Sequence, residues 1–351
     1  MTTAPPKKIL VIMLRRIGDV ILTTPAVRAL KKLYPSAAID FLVEEPSDQI
    51  LRGNPDISEI LVYRKGILNY LRWLFTVRNR GYDWVIDYMG NPRTAILTFL
   101  SGAPVSAGPG HVSHRWAYAQ HLKESDSSFY SAQEKIRVLR SLGLSPDEKD
   151  CIPVLSSDAS SEEHADDLLR KMRLPPGPIV GLVPASRKTT RRWPWESYAE
   201  VGKKLRDEFG AKILVFYGPG EFELAKKVRD AVGANAYLAP RSNDLRVLAA
   251  LVGRCSLLVT NCNGPKHIGV ARGVATVTIH GSSDPNCWNP PENPKHPIVR
   301  LESLECIGCM KNRCPYNLEC MRDLTPEMAL APARLLLKRN EVIDAGTGAD
   351  L

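Results

Sequence analysis

The chain of 351 residues is too long for one ordinary domain and favours two domains of roughly 150–200 residues each. Its apolar share of 44% and charged share of 24% are those of a globular protein, which excludes disordered, collagenous and fibrous classes. The net charge of +9 and a pI near 9.1 indicate an anionic partner: nucleic acid, an anionic membrane surface or a phosphorylated substrate.

We expect no secretory signal at the start of the chain, because the apolar run Ile9–Leu14 is short and ends at Arg15. No stretch approaches the roughly 18–20 apolar residues that span a bilayer. We therefore expect a cytoplasmic protein, at most peripheral on the inner face of the cytoplasmic membrane. Eight cysteines in a long chain without a signal argue against a disulfide framework.

The first half alternates apolar strands with amphipathic helices. It opens on the apolar run Lys8–Leu14, which predicts a buried parallel strand, followed by a loop and a helix that contains Ala26 and Leu30. The further elements predicted in this half are the strands Ile39–Val43, Glu59–Tyr63 and Trp84–Asp87, a loop or short strand in Gly102–Gly110, and the helices Ile67–Val77 and Ala132–Leu142.

A segment rich in polar residues and proline then interrupts the alternation of strands and helices. Ser156–Ser161 is polar and Leu174–Pro178 is rich in proline, so we predict one domain at residues 1–173 and another at 174–351. A second alternation follows, with the strands Ile179–Val183, Lys212–Tyr217, Leu257–Thr260 and Ala275–His280, the helices Trp195–Glu208, Glu221–Val232 and Leu245–Gly253, and a short helix from Lys266.

Two such halves predict an α/β protein of two doubly wound, Rossmann-like domains. Ligands of such sheets sit at the carboxyl ends of the strands, so we expect a site in a central cleft that both domains face. The tail Thr325–Ile343 has a helical pattern that contains Pro332. An interior proline costs ~3 kcal/mol, which predicts a kink or two short helices there.

The first candidate site residue follows the first strand, where Gly18 permits a tight turn and Asp19 precedes a helix. On spacing alone, the better interpretation is a carboxylate that stabilises a helix N-terminus; the alternative is a general base that deprotonates an acceptor hydroxyl. The loop lacks G-x-G-x-x-G, so it is not a dinucleotide-binding fingerprint.

A phosphate cradle is predicted after a later strand, in the segment Asn261–His267. Gly264 allows close approach at a helix start, and Lys266 and His267 add cationic or donor groups there. The alternative is a Gly-Pro turn with an incidental histidine.

Polar and basic residues follow two other strands of the second half. Ser186 can hydrogen-bond phosphate oxygens and Arg187 or Arg191 can clamp a phosphate, with a solvated basic loop as the alternative. Glu221 would accept hydrogen bonds from a ribose or stabilise a helix dipole, and in isolation the dipole is the better interpretation.

Four cysteines lie close together in sequence, at Cys306, Cys309, Cys314 and Cys320. A CxxC pair followed by two further cysteines resembles a zinc knuckle, although the second pair lacks CxxC spacing. A structural zinc ion is therefore one prediction, with an iron–sulfur site or unligated thiols as alternatives.

These loops together resemble those of glycosyltransferase family nine, the lipopolysaccharide heptosyltransferases, from Lys8 to about Leu337. The resemblance rests on the order and spacing of the segments Arg16–Val20, Thr24–Leu30, Asn261–Ala271 and Ile279–Pro285 with Trp288 and Pro290.

The resemblance implies a GT-B fold and metal-independent transfer with inversion at the anomeric carbon, so no catalytic cofactor is expected. The implied donor is a nucleotide-diphosphate sugar, with ADP-heptose favoured. The implied acceptor is a lipid-linked glycan, the Kdo-lipid A inner core, at an anionic membrane surface. Nucleic acid is not an expected partner.

Residue by residue, the resemblance places Asp19 as the general base and Glu221 at the nucleoside ribose. The donor phosphates would lie at Ser186, Arg187 and Arg191, beside Gly264, Lys266 and His267.

One position departs from the family pattern. Members often carry an Asp that is thought to contact the donor sugar where this chain has Cys262, followed by Asn263. A thiol cannot replace a carboxylate that accepts two hydroxyl hydrogen bonds. Either the donor sugar is not heptose, or Asn263 or Asp284 takes over the contact, or the chain is a degenerate, inactive member.

Two rival functions remain. A GT-B sugar-nucleotide epimerase would share the fold but need no acceptor. A non-enzymatic zinc-knuckle protein would bind nucleic acid through basic and aromatic residues near the cysteines, where the chain offers only Lys311, Arg313, Tyr316 and Arg322.

Overall fold

The computed structural model describes residues 5–122 and 129–347, with the side chains of 5–121 and 129–339. It divides into two compact units, Met1–Ser156 and Ser157–Leu351. Each unit contains a six-stranded parallel sheet, which confirms the predicted α/β class. No helix among the described residues is long and apolar enough to cross a membrane.

The first sheet has the strand order β3-β2-β1-β4-β5-β6. Its strands are β1 (Lys8–Met13), β2 (Ala38–Glu44), β3 (Glu59–Tyr63), β4 (Trp84–Asp87), β5 (Val105–Pro109) and β6 (Gln120–Leu122). The helices of this unit are α1 (Ile17–Ile21), α2 (Thr24–Leu33), α3 (Ile67–Asn79), α4 (Pro92–Ser101) and α5 (Ser131–Arg137), with 3-10 turns at Ser47–Leu51, Arg115–Ala117 and Val138–Leu142.

The second sheet has the order β12-β11-β10-β7-β8-β9, which is the same winding. Its strands are β7 (Ile179–Val183), β8 (Lys212–Val215), β9 (Ala236–Leu238), β10 (Leu257–Asn261), β11 (Ala275–Ile279) and β12 (Ile298–Val299). The helices are α6 (Ala159–Lys171), α7 (Trp195–Phe209), α8 (Phe222–Val232), α9 (Leu245–Gly253), α10 (Gly264–Ala271), α11 (Pro285–Trp288), α12 (Glu319–Arg322) and α13 (Pro326–Thr347), with a 3-10 turn at Thr189–Arg191.

The central strands are fully buried, which explains their unbroken apolar runs. In β1 only Lys8 is partly exposed, and all residues of β10 and β11 are buried. A parallel sheet covered on both faces selects such runs instead of alternation. The strand order reverses between β1 and β4 in one sheet and between β7 and β10 in the other. Ligands of doubly wound sheets bind at these switch points.

The boundary between the units lies before α6, whereas the prediction placed it after Arg173. The reason is that α6 packs against α9 of the second unit. The Arg254 guanidinium donates to both carboxylate oxygens of Asp166 and also to Glu162. The polar segment that indicated a linker therefore contains the start of α6, which belongs to the second unit.

The C-terminal helix α13 is one helix that continues through Pro332, so of the two predicted alternatives the two short helices are wrong, and the kink stays a prediction. Buried residues before and after the proline, including Ala329, Leu330 and Ala333, pack into the core of the second unit. Pro332 has no N–H and cannot donate a hydrogen bond within the helix, and this packing on both sides of it offsets that cost. The sequence analysis also did not predict α4, which begins at a capping box of Asn91 and Thr94.

We expect Arg254→Ala to lower the free energy of unfolding by about 1 kcal/mol, because it removes partly exposed ion pairs that hold α6. Chemical denaturation would measure the change. Arg170→Ala is the matched control, since Arg170 pairs with Asp167 within α6 itself. Equal effects of the two variants would contradict the assignment of α6 to the second unit.

Candidate functional site

Asp19 lies where the chain leaves β1, at the switch point of the first sheet. It occupies the first turn of α1 and is half-buried. The helix begins at Ile17, and its N-cap residue Arg16 makes no side-chain cap hydrogen bond. The Thr23 hydroxyl donates to the Asp19 backbone carbonyl at 2.8 Å, which fixes the turn. The carboxylate is thus positioned by backbone contacts.

Lys135 lies beside Asp19, and the sequence analysis missed it. Burial lowers the pKa of Lys135 to about 8, while the nearby Asp19 carboxylate opposes that shift. The ammonium donates to Ser131 Oγ at 2.7 Å. Because α5 packs against α2, residue 135 reaches residue 19 only through the tertiary fold. No spacing in the sequence could have indicated this pair.

Asp87, on the other side of the switch point, is a second carboxylate but is fully engaged by the protein. It accepts hydrogen bonds from the backbone N–H of Met89 at 2.8 Å and of Gly90 at 3.1 Å. The Tyr118 hydroxyl donates to its other oxygen at 2.8 Å. Burial raises the pKa of Asp87. We assign it to holding the strand ends together, which leaves Asp19 as the candidate base.

Asn261 organises the switch point of the second sheet. Its side chain is buried at the end of β10, where it accepts from the Trp193 backbone N–H at 3.0 Å. Its amide nitrogen donates to the Pro184 carbonyl at 3.0 Å. One carboxamide therefore fixes the loop after β7, which contains Ser186, against the loop after β10.

The segment after Asn261 forms the start of α10, as predicted. Asn263 caps the helix, with its side-chain oxygen accepting from the Lys266 N–H at 3.1 Å and its amide nitrogen donating to the Ala185 carbonyl at 3.0 Å. Gly264 is the first residue of the helix and His267 is buried against Trp288. The Asn263 side-chain amide thus connects the start of α10 with the loop after β7.

Cations concentrate around this helix start. Lys266 is fully buried and donates to the Trp288 carbonyl, and burial lowers its pKa to about 8. His280 is buried nearby, and burial together with Lys266, Arg300 and Arg191 lowers its pKa to about 3. A neutral histidine and buried cations at the positive end of a helix dipole favour an anionic ligand.

The loop after β7 adds to the positive charge. Arg187 is exposed, Ser186 is buried, and Arg191 is half-buried in the 3-10 turn. Lys188 was missed by the sequence analysis; burial lowers its pKa, and Arg191 and Arg187 lower it further. The mutual repulsion indicates that these cations lie close together.

Three buried nitrogen atoms around the start of α10 have no hydrogen-bond partner among the described residues: Arg191 Nε, His280 Nε2 and Trp288 Nε1. Buried polar groups are normally paired, because an unpaired one costs ~1–3 kcal/mol. Several such atoms in one region are typical of groups that bind a ligand.

Cys262, the departure from the family pattern, is buried within reach of the same cations. Burial raises the pKa of its thiol, while Lys266, Arg191 and a hydrogen bond with Ser283 oppose the shift. Asp284, one of its two predicted substitutes, caps α11 by accepting from the Asn286 N–H at 2.9 Å. The side chains of Asn263 and Asp284 therefore already make hydrogen bonds within the protein, so neither has all of its polar atoms available to a donor sugar.

Glu221 precedes α8 but does not cap it with a side-chain hydrogen bond. Its carboxylate instead accepts from the Gly218 N–H at 2.7 Å, which closes the loop after β8. Tyr217 and the exposed Phe222 flank this loop, with their rings 5.6 Å apart. The pair offers an aromatic surface that the sequence analysis did not identify.

The four clustered cysteines lie in and after an irregular loop. Burial raises the pKa of the Cys320 thiol to about 11, and the other three cysteines raise it further. Nevertheless, the described residues contain no group of three or more His, Cys, Asp or Glu side chains that could hold a metal ion. Zinc binding by Cys306, Cys309, Cys314 and Cys320 thus stays a prediction, which metal analysis of the purified protein would check.

The same loop supports the candidate site. The Met310 N–H donates to the Ser282 carbonyl at 2.6 Å, and the Thr190 hydroxyl donates to the Lys311 carbonyl at 3.0 Å. Thr190 is in the turn that carries Arg191. The cysteine-containing loop therefore packs directly behind the cationic residues.

Comparison with known proteins now decides the family. The sequence model of a protein family, glycosyltransferase family 9 (heptosyltransferase), matches residues 71–319 of the chain. The chain belongs to this family. It is 24% identical to lipopolysaccharide heptosyltransferase 2 of Salmonella typhimurium over 355 residues, covering 95% of this chain and 100% of that one.

Solved structures agree on the fold of this family 9 protein. A glycosyl transferase family 9 structure from Veillonella parvula has a TM-score of 0.84 at 27% identity, covering 95% of this chain and 97% of that one. The structure of E. coli ADP-heptose lps heptosyltransferase II has a TM-score of 0.79 at 21% identity, covering 95% and 99%. The protein is a glycosyltransferase, and its two sheets are those of the GT-B fold.

Lys266 should make the binding of an anionic ligand at the start of α10, such as a nucleoside diphosphate, depend on pH. Its pKa of about 8 predicts that affinity for such a ligand falls as the pH rises through about 8, because the ammonium loses its proton. We expect Lys266→Met to bind about tenfold more weakly at neutral pH, the worth of one charge-assisted hydrogen bond, and with a flatter pH profile. Calorimetric titration would measure both.

Lys212→Met is the matched control for this prediction. Lys212 is also buried with a lowered pKa, but it begins β8 and so lies at the opposite edge of the sheet. A pH profile that is unchanged in Lys266→Met, or lost in Lys212→Met, would show that another group titrates.

Proposed function

We propose that the protein transfers a sugar from a nucleotide-diphosphate donor, with ADP-heptose favoured, onto the lipopolysaccharide inner core or a related cell-envelope glycan, with inversion at the anomeric carbon. The observation that carries the proposal is the concentration of cations and unpartnered buried nitrogens at the start of α10. The relatives support the donor and acceptor classes, since they include an ADP-heptose enzyme and a lipopolysaccharide heptosyltransferase.

The donor diphosphate is proposed to bind at the N-terminus of α10. The Gly264 backbone N–H, the Lys266 ammonium and the Arg191 guanidinium all favour a dianion there. Ser186 and Arg187 extend this surface from the loop after β7. On departure the diphosphate gains negative charge, and the preformed cations stabilise it without reorganising.

The nucleoside is proposed to bind at the loop after β8. One oxygen of the Glu221 carboxylate already accepts from Gly218, and the other is available to a ribose hydroxyl. Tyr217 and Phe222 would contact the base through their rings. This would leave the donor sugar near Cys262 and His267.

Asp19 is proposed to remove the proton from the acceptor hydroxyl. As that proton moves to the carboxylate, the acceptor oxygen bonds to the anomeric carbon and the bond from that carbon to the diphosphate oxygen breaks. Attack from the face opposite the leaving group inverts the configuration. Lys135 would hold the carboxylate by charge attraction between turnovers. The proposal requires no metal ion or cofactor for this step.

The acceptor is proposed to be lipid-linked, with the protein peripheral on the inner face of the cytoplasmic membrane. The net charge of +9 supports attraction to a phosphorylated lipid and an anionic leaflet.

Titration of the protein with ADP, UDP and GDP, followed by the matching sugar donors, tests the donor class. We expect selective binding of one nucleotide, with ADP favoured. Arg191→Ala should weaken that binding by about tenfold or more, because it removes a charge-assisted contact. Binding of none of the three would contradict the proposal, and release of free sugar without an acceptor would indicate an epimerase or hydrolase instead.

Asp19→Asn should lower the rate of sugar transfer by about 10²–10⁴-fold, because an amide keeps the shape but cannot accept the proton. Nucleotide binding should be nearly unchanged, since Asp19 is in the other unit from the donor residues. The exposed Asp147 provides the control Asp147→Asn. Unimpaired transfer by Asp19→Asn would refute the base assignment.

A further inference from the structure

The helix α3 presents a row of large apolar side chains to solvent. Ile67 is 70% exposed, Leu68 80%, Leu71 44% and Phe75 69%. At 100° per residue these four positions fall within a sector of about 100° on the helix surface. They extend over about 12 Å of its length. Single exposed apolar residues are ordinary, whereas a continuous row marks an interaction surface.

The opposite side of α3 is anchored, so the exposed row is a stable feature of the fold. Val77 is buried in the core of the first unit, and Tyr70, Trp73 and Leu74 pack against it. The Tyr70 hydroxyl donates to the Arg93 carbonyl at 3.2 Å, which ties the helix to α4. The apolar row cannot turn inward without breaking these contacts.

Basic residues predominate along the segment that carries the row, although Arg80 at its end pairs with Glu59. The sequence from Arg64 to Tyr82 contains five basic residues and no acidic residue. Arg72 and Arg78 are exposed on the helix itself. Arg64 and Lys65 precede it in exposed pairs with Glu45 and Glu44, which contribute little in water. An apolar row bordered by arginines matches the boundary between acyl chains and anionic headgroups.

The position of the row relative to Asp19 also favours a membrane. The strands β1 and β3 are parallel members of one sheet, so the loops that follow them emerge at the same edge. Asp19 follows β1, and α3 follows β3 after Gly66. The most exposed residues, Ile67 and Leu68, are at this end of the helix. A lipid surface in contact with them would lie beside the edge where the candidate base meets its acceptor.

We propose that the face of α3 formed by Ile67, Leu68, Leu71 and Phe75 docks the protein on an anionic lipid surface, with the apolar side chains among the headgroups. Only the role of this docking, which is to bring a lipid-linked acceptor to Asp19, rests on the proposed function. A second copy of the chain is a poorer occupant, because a symmetric contact would bring the arginines of both helices together.

Flotation of the full-length protein with vesicles tests this surface without requiring turnover. We expect binding to phosphatidylcholine–phosphatidylglycerol vesicles and weaker binding to phosphatidylcholine alone. The double variant Leu68→Asp/Phe75→Asp should bind at least about tenfold more weakly, because it loses two buried apolar side chains. Leu68→Trp should bind as well as the unchanged protein, since indole favours the membrane interface.

Leu335→Asp is the matched control, because Leu335 is 65% exposed on α13 of the other unit. It should leave vesicle binding unchanged, and all variants should keep the thermal stability of the parent. Equal binding by the double variant, or no vesicle binding by the parent protein, would overturn the proposal. A parent dimer that the double variant dissociates would also overturn it and assign the face to self-association.

Turnover on a soluble, deacylated acceptor separates this proposal from the proposed function. The double variant should transfer sugar to that acceptor at the parent rate, while losing transfer to the lipid-linked acceptor in vesicles. If the parent transfers sugar to neither acceptor but still binds vesicles through α3, the proposed function fails and the docking surface stands.

Discussion

The second unit depends on one buried carboxamide. Asn261 closes β10 and donates to the carbonyls of the loop after β7, while it accepts from the Trp193 N–H. The Trp193 indole in turn donates to the Leu324 carbonyl at 2.9 Å, just before α13. Thus a single side chain at the switch point connects the two central strands with the loop and the C-terminal helix. No other residue type of this size both donates and accepts in this geometry, and a hydrocarbon there would leave several buried backbone groups unpaired.

The electrostatics of the site oppose folding and favour a ligand. A buried lysine at the positive end of α10, with Arg191 and a neutral His280 nearby, raises the free energy of the empty protein. The apolar strands β7, β10 and β11 supply the stability that tolerates this arrangement. The proposed diphosphate would relieve the repulsion, and part of its binding free energy would then come from removing an unfavourable state. Local violations of packing rules are expected at such functional sites.

The two units share a winding but differ in chemistry, which is located in their loops. Around its switch point the first unit has a carboxylate beside a lysine, and its α3 is apolar and basic. The second unit has cations and unpartnered nitrogens at the corresponding position. The same strand order therefore provides two edges, and the residues after each strand decide whether an edge suits an acceptor or an anionic donor.

The sequence by itself determined the alternation of strands and helices, the loops after β1, β7 and β10, and the candidate residues Asp19 and Gly264–His267. Those features follow from apolar runs and from the fixed position of loops in a doubly wound sheet, which are local signals. Only the tertiary structure decided that Lys135 lies beside Asp19, that α6 belongs to the second unit, and that both amide ends of Asn263 are occupied. It also kept α13 continuous through Pro332. These outcomes depend on which faces of distant segments pack together, and local propensity does not encode that choice.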